Sequence, residues 1–290
     1  MTRHFDSLPA FLRDGRATLA RGPVGLILVE DAVEYASTLT HHLDAGFRAL
    51  AVFAPADLVL PEFADPRVVR VTAPVLAPDA MPAIVNACIA AAPEGTWFHY
   101  GWNAEYLFTP FCETRTTGEL LAFVAEERRD SVLAYVVDLY ADDLAAAPDA
   151  VSRTRAHLDR AGYYALARKG PDGNPAERQL DFFGGLRWRF EEHVPPAHRR
   201  IDRVALFRTR RGLRIGADHT FNLPEYNTYA CPWHHSPTAA VCSFRAAKAL
   251  RRNPGSRHAI DSFMWHNSVP FAWDSRQLMD LGLMEPGQWF

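Results

Sequence analysis

Residues 97–111 read WFHYGWNAEYLFTPF. The apolar and aromatic run Trp97 to Tyr100 has the character of a buried strand, Gly101 that of a sharp turn, and Asn103 and Glu105 follow as a polar pair. A second apolar-aromatic run, Tyr106 to Phe111, comes next. A strand that ends in a glycine turn and then presents an amide and a carboxylate is how α/β sheets build ligand sites beyond their strand ends. Few polar groups among bulky apolar ones predict a site there. The competing reading is local: the pair caps the next helix or pairs with Arg115.

Upstream, Gly25 to Val29 is a continuous apolar run, as in a strand covered on both faces, and Glu30 and Asp31 end it. Tyr35, Leu39, His42, Leu43 and Phe47 recur at helical spacing, with Gly46 suited to the helix end. Ala49 to Phe53 reads as a second strand followed by a turn at 54–57, Val68 to Val71 as a third, and Met81 to Ala92 as a helix leading into the focal strand. Strand, helix, strand, strand, helix, strand is a parallel, doubly wound pattern. It sets Glu30, Asp57 and the Asn103/Glu105 pair at strand carboxyl ends.

Downstream, the sequence predicts a helix over Glu119–Arg129 and a strand over Ser131–Leu139 running into Asp138 and Tyr140. The alanine-rich stretch 142–167 reads as a helical excursion and Gly170–Pro175 as a surface loop. Leu180 to Phe190, LDFFGGLRWRF, is aromatic and glycine-broken, and arginines crowd the residues after it. Thr238 to Arg251, with Val241, Phe244, Ala247 and Leu250 at helical spacing, reads as a helix, and the tail to Phe290 as helical and packed on the body. The expected organisation is an extension over 1–22, a main domain over 23–235 and the tail over 236–290.

The totals bound the class. The chain has 290 residues, 48% of them hydrophobic, enough for a large core and unlike a disordered chain. Its formal net charge of −3 supplies no global basic field for nucleic acid. Cys88, Cys112, Cys231 and Cys242 are scattered, as reduced thiols of a cytoplasmic protein would be. The first 15 residues carry charges throughout, unlike a signal peptide, and no run approaches the roughly 18–20 apolar residues of a membrane span. There is no Gly-X-Ser-X-Gly, P-loop or Gly-X-Gly-X-X-Gly, so hydrolase, NTPase and dinucleotide readings have no positive support.

The order of elements resembles bacterial glycosyltransferase family 2-like proteins with a GT-A fold. The resemblance rests on Leu26-Ile-Leu-Val-Glu-Asp31, the following His41-His42-Leu43 and Gly46-Phe47, and Trp97–Leu107, where the family has a strand running into Asp-X-Asp-Glu-Phe-Leu. Tyr135-Val-Val-Asp-Leu-Tyr140, Phe183-Gly-Gly-Leu-Arg187 and His234-His235 extend it over most of residues 24–250. It implies a GT-A-like, doubly wound mixed sheet flanked by helices, with an aromatic and arginine-rich C-terminal portion. It also implies transfer of a sugar from a nucleotide sugar to an acceptor, in a protein able to form homo-oligomers. The family's two metal-binding aspartates fall at Trp102 and Ala104, leaving Glu105. Asp-X-Asp serves a hard Mn or Mg cation that bridges the nucleotide diphosphate to the protein. The resemblance then assigns Glu105 and His235 to the metal.

Within that frame, Glu30, Asp57, Asn103 and Glu105 are candidates for substrate binding. Asp138, Asp181 and Glu191, with Glu192 as a rival, are candidates for the base that deprotonates an acceptor hydroxyl. Each carboxylate could equally be a salt-bridge partner in an arginine-rich region. Arginines can offset a diphosphate without metal, since guanidinium forks match phosphate geometry. The only lysines are Lys169 and Lys248, so most arginines read as ordinary solvated cations, with Arg187 and Arg189 the exceptions. His219, Cys231, His234 and His235 have soft-metal chemistry, although a single Cys-X-X-His is more often a buried thiol beside backbone-bonded histidines. The alternative to an enzyme is a degenerate member that binds a sugar, nucleotide or partner protein without catalysis.

Overall fold

The computed structural model describes residues 3–230 and 235–289. The protein is α/β, with a large mixed sheet flanked by helices. It divides into two compact units: residues 1–106, 114–132 and 204–227 form the first, and residues 107–113, 133–203 and 228–290 the second.

The first unit opens with β1 (Arg3–Phe5), α1 (Leu8–Asp14) and α2 (Arg16–Leu19). The doubly wound core follows as β2 (Val24–Leu28), α3 (Tyr35–Asp44), β3 (Ala49–Ala54), β4 (Val68–Thr72), α4 (Ala80–Ala91) and β5 (Trp97–Trp102). The parallel pattern expected from the sequence is present: β2 pairs parallel with both β3 and β5, and β4 with β3. All five residues of β2 are buried, which is why its run is apolar without alternation. The segment expected as an extension contributes β1, parallel to β4. In α3 the buried Tyr35, Leu39, His42 and Leu43 form one stripe.

The focal stretch differs from its sequence reading. β5 runs through Gly101 to Trp102, and the chain reverses at Asn103–Ala104, Ala104 taking φ +60°. β6 (Glu105–Phe108) begins at once. Pairing with β2 over Tyr100–Trp102 carries the strand past the glycine. α5 (Thr117–Glu126) starts with a capping box between Thr116 and Glu119.

Beyond α5 lie β7 (Ser131–Asp138), β8 (Tyr140–Ala141), β9 (Ala156–Asp159), β10 (Tyr164–Lys169), β11 (Pro175–Phe183) and α6 (Gly185–Arg189). β12 (Asp202–Arg208), β13 (Ala239–Ser243), α7 (Arg245–Arg252), β14 (Ser268–Pro270) and α8 (Ser275–Asp280) complete the chain. The sheet follows the order β1-β4-β3-β2-β5-β12 in the first unit, where β12 runs antiparallel to β5, and β7-β13-β6 in the second. The expected helical excursion over 142–167 is turns and strands: β9 pairs antiparallel with β8 and β14, and β10 forms a hairpin with β11. Alanine there marks small residues in turns and tight strands, and tertiary pairing overrides its helix propensity. The expected helix over 238–251 splits. Ala239–Ser243 is a fully buried strand parallel to β7, and only the following α7 keeps the helical face with Ala247 and Leu250 inward. In the tail, α7 and α8 are the helices among the described residues. Tyr140, Leu144, Leu186, Leu250, Ile260 and Phe263 pack into the second unit's core.

Candidate functional site

In the first unit, Asn103 is completely buried. Its Oδ1 accepts from Glu30 N at 2.9 Å, and its Nδ2 donates to Asp31 Oδ1 at 2.8 Å and Val33 O at 2.9 Å. Its own N–H donates to Leu28 O at 3.0 Å. The amide therefore clips the loop after β2 to the reversal after β5, which fixes Glu30 at the end of β2. Glu34, at φ +53°, continues this loop. Its carboxylate accepts from Tyr106 OH at 3.1 Å and from Ser37 Oγ, and that hydroxyl also bonds Tyr106 OH at 2.9 Å. Asn103→Ala is expected to cost roughly 2–4 kcal/mol in urea unfolding, because buried groups left unsatisfied cost about 1–3 kcal/mol each. Unchanged stability would refute the clip.

Glu105 is buried and its Oε2 accepts from Trp102 N at 3.0 Å. Gly101 passes between it and a histidine: a Cβ there would lie 3.1 Å from His99 Nε2 and 3.3 Å from Glu105 Oε2. His99 and His42 are both buried, with their Nε2 atoms 3.2 Å apart. Each Nδ1 faces a backbone carbonyl, Thr38 O at 2.8 Å for His42 and Ala205 O at 2.9 Å for His99, so each Nδ1 carries a proton. The two Nε2 atoms face each other, with Glu105 nearby as a negative charge. Burial foremost, then the neighbouring His99 and His41, pushes His42 well below the ordinary histidine value. Sequence reasoning missed this pair; the signal available was two histidines inside apolar segments.

Trp102 and Ala104 bring no oxygen ligand, and Asn103 and Glu105 are committed to the bonds above. His235 is exposed, while Cys231 and His234 lie outside the described residues. Among the described residues, no group of three or more His, Cys, Asp or Glu is arranged to hold a metal ion. This donor set does not fit a hard divalent cation. His219 stacks on Tyr100 and bonds its hydroxyl at 2.9 Å. Asp57 sits exposed in the turn after β3. A cleft of about 490 Å³, lined by Arg210, Arg211, Arg214 and Glu94 beside α4, belongs to this unit too. Because Arg208 pairs with Trp97, the loop after β12 lies at the amino end of β5, away from the usual ligand edge.

The base candidates fall in the second unit. Asp138 ends β7, is buried, and neither carboxylate oxygen makes a hydrogen bond of normal geometry. Arg187 Nε lies 3.5 Å from Oδ1. Gly185, at φ +61°, lies against the carboxylate so closely that a Cβ would come within 2.9 Å of Oδ2. This is the physical need for the second glycine of the FGG turn. Burial raises the Asp138 carboxyl from 3.8 to about 6, with Arg187 opposing. Arg187 also donates to Arg200 O at 3.0 Å.

Asp181 is held by Arg168 at 2.7 Å and Arg200 at 3.3 Å, in a network that also ties both arginines to the buried Asp202. Glu191 is paired with Arg199 at 3.3 Å and Glu192 with His193 at 3.8 Å, each at the surface. Arg189 bonds the buried Asp159 at 3.1 Å, donates to Phe263 O at 2.8 Å and lies 4.6 Å over the Trp265 ring. Asp159 also accepts from Trp265 Nε1 at 2.6 Å and from Tyr140 OH. Of the four acids, Asp138 alone combines burial with the lack of a hydrogen bond of normal geometry, the Arg187 and Leu186 N–H groups lying nearest to it. No family model matches the chain, and no curated protein matches it.

Proposed function

We propose that the protein is a glycosyltransferase-like α/β protein that transfers a sugar from a nucleotide sugar to an acceptor hydroxyl, with Asp138 as the base. The observation that carries this reading is the Asp138 carboxylate at the carboxyl end of β7, buried beside Arg187 without a hydrogen bond of normal geometry and raised to about 6. A general base works best when its pKa approaches the working pH, and the desolvated Asp138 carboxylate meets that condition. The Gly184–Gly185 turn has to move aside for an acceptor to reach it. The mixed sheet and the glycine turn after β11 support the resemblance to GT-A proteins. The donor set around Glu105 favours a version in which arginines rather than a metal offset phosphate charge, Arg187 being the nearest to the base.

A second reading has its own observation: Trp102 and Ala104 replace the aspartates, and Asn103 and Glu105 are spent internally. These features favour a protein that binds a sugar or nucleotide without turning it over. A thermal-shift screen of nucleoside diphosphates and nucleotide sugars, with and without manganese or magnesium, tests both. Saturation at 100-fold above Kd adds about 2.7 kcal/mol of stability. A metal-independent shift that Arg187→Ala abolishes, with turnover that Asp138→Asn abolishes, supports the transferase. A shift without turnover supports the binding module, and no shift with any nucleotide refutes both.

A further inference from the structure

The second unit contains a cleft of about 260 Å³ walled by Tyr135, Tyr163, Tyr164 and Phe182, with Leu283 at its base and Glu285 at its rim. Among the described residues, no arginine, lysine or histidine lines it. Tyr135, Tyr163 and Phe182 are half-buried and Tyr164 is exposed, so aromatic surface is left open to a ligand. The walls are fixed. Tyr135 and Phe182 pack at 4.6 Å between centroids, Phe182 N donates to Asp202 at 2.8 Å, and Ile201 N donates to Phe182 O at 2.9 Å. Glu285 is held through its backbone, with Thr238 N donating to its carbonyl at 2.9 Å and its own N–H donating to Thr238 Oγ1 at 2.9 Å. Its carboxylate is in no hydrogen bond among the described residues.

From four aromatic rings and one carboxylate, we infer that this cleft binds a small organic cation of the quaternary or alkylated ammonium class. Aromatic rings attract a cation through their quadrupole, and Glu285 supplies the opposite charge. A methylated ammonium has no hydrogen-bonding demand, so it leaves no donor of its own unpaired in the cleft. The Tyr163 hydroxyl already donates to Asp159 O at 3.0 Å. A sugar ring in the same space would leave several hydroxyls unpaired, at a cost that a cation avoids. The volume is below the range for drug-sized ligands, which suits a head group. This inference stands apart from the transferase reading, since it uses none of Asp138, Arg187 or the strand-end loop.

Titrating the full chain with choline chloride, at constant chloride and monitored by calorimetry, tests it. The neutral isostere 3,3-dimethyl-1-butanol and glucose serve as controls. Choline is expected to bind at least about tenfold more tightly than the neutral isostere, and Phe182→Ala and Glu285→Gln to weaken it about tenfold each. Glu285 is exposed, so the Glu285→Gln variant keeps the fold and isolates the charge. Equal affinity for the two isosteres, binding of glucose but not choline, or full choline binding in Glu285→Gln overturns the inference. Absence of choline binding to the unaltered protein overturns it as well.

Discussion

Asp138→Asn is expected to stabilise the protein at pH 7.5 while abolishing turnover. The sign follows from linkage. The folded carboxyl titrates near 6 and the unfolded one near 3.8, so the native state holds its proton more tightly. The contribution of Asp138 to stability is therefore fully present below about pH 4 and is lost as pH rises through about 6. Two pKa units and a fraction correspond to about 3 kcal/mol across that window. The amide cannot ionise, so the variant's unfolding free energy should lack this component, and its gain over wild type should shrink as pH falls from 7.5 to 5. Denaturant unfolding at the two pH values measures it. An unchanged pH dependence would remove Asp138 from the role of base.

Arg189→Ala is expected to do the opposite and destabilise strongly. It strips the cation from Asp159, which is 1% exposed, and removes the guanidinium from the Trp265 face and the Phe263 carbonyl. Breaking a buried pair by removing one partner costs about 3–5 kcal/mol, because the other charge stays buried. Tyr140 and Trp265 remain as donors to Asp159 and set the lower end of that range. Urea unfolding of the variant should show the midpoint shift. Arg189→Met combined with Asp159→Asn should recover much of the loss, since neither charge is then stranded. If Arg189→Ala kept full stability but lost nucleotide binding, the arginine would be a ligand group after all.

The two arginines of the FGGLRWRF stretch show where sequence reasoning reaches its limit. Both stood out because they sit among aromatics, and composition could not separate them. Arg189 faces Asp159, which is 30 residues away in the chain, and Arg187 faces Asp138, which is 49 away. The same holds for Asn103: its strand-end position was legible, but its three partners come from a loop about 70 residues earlier. Residues 238–251 failed differently. Alternate small and apolar residues satisfy a helical stripe and a buried parallel strand equally well over five positions, and pairing with β7 decided between them.

By itself the sequence determined the parallel first half of the fold, because strands buried on both faces must be continuously apolar and their helices must show one apolar stripe. It also determined the turn chemistry at Thr116–Glu119, which is local. Only the tertiary structure decided which acids are buried, which histidines face each other and which aromatics line a cleft. Those outcomes depend on partners distant in the chain, and neither burial nor hydrogen-bond satisfaction is a property of a residue and its neighbours in sequence alone.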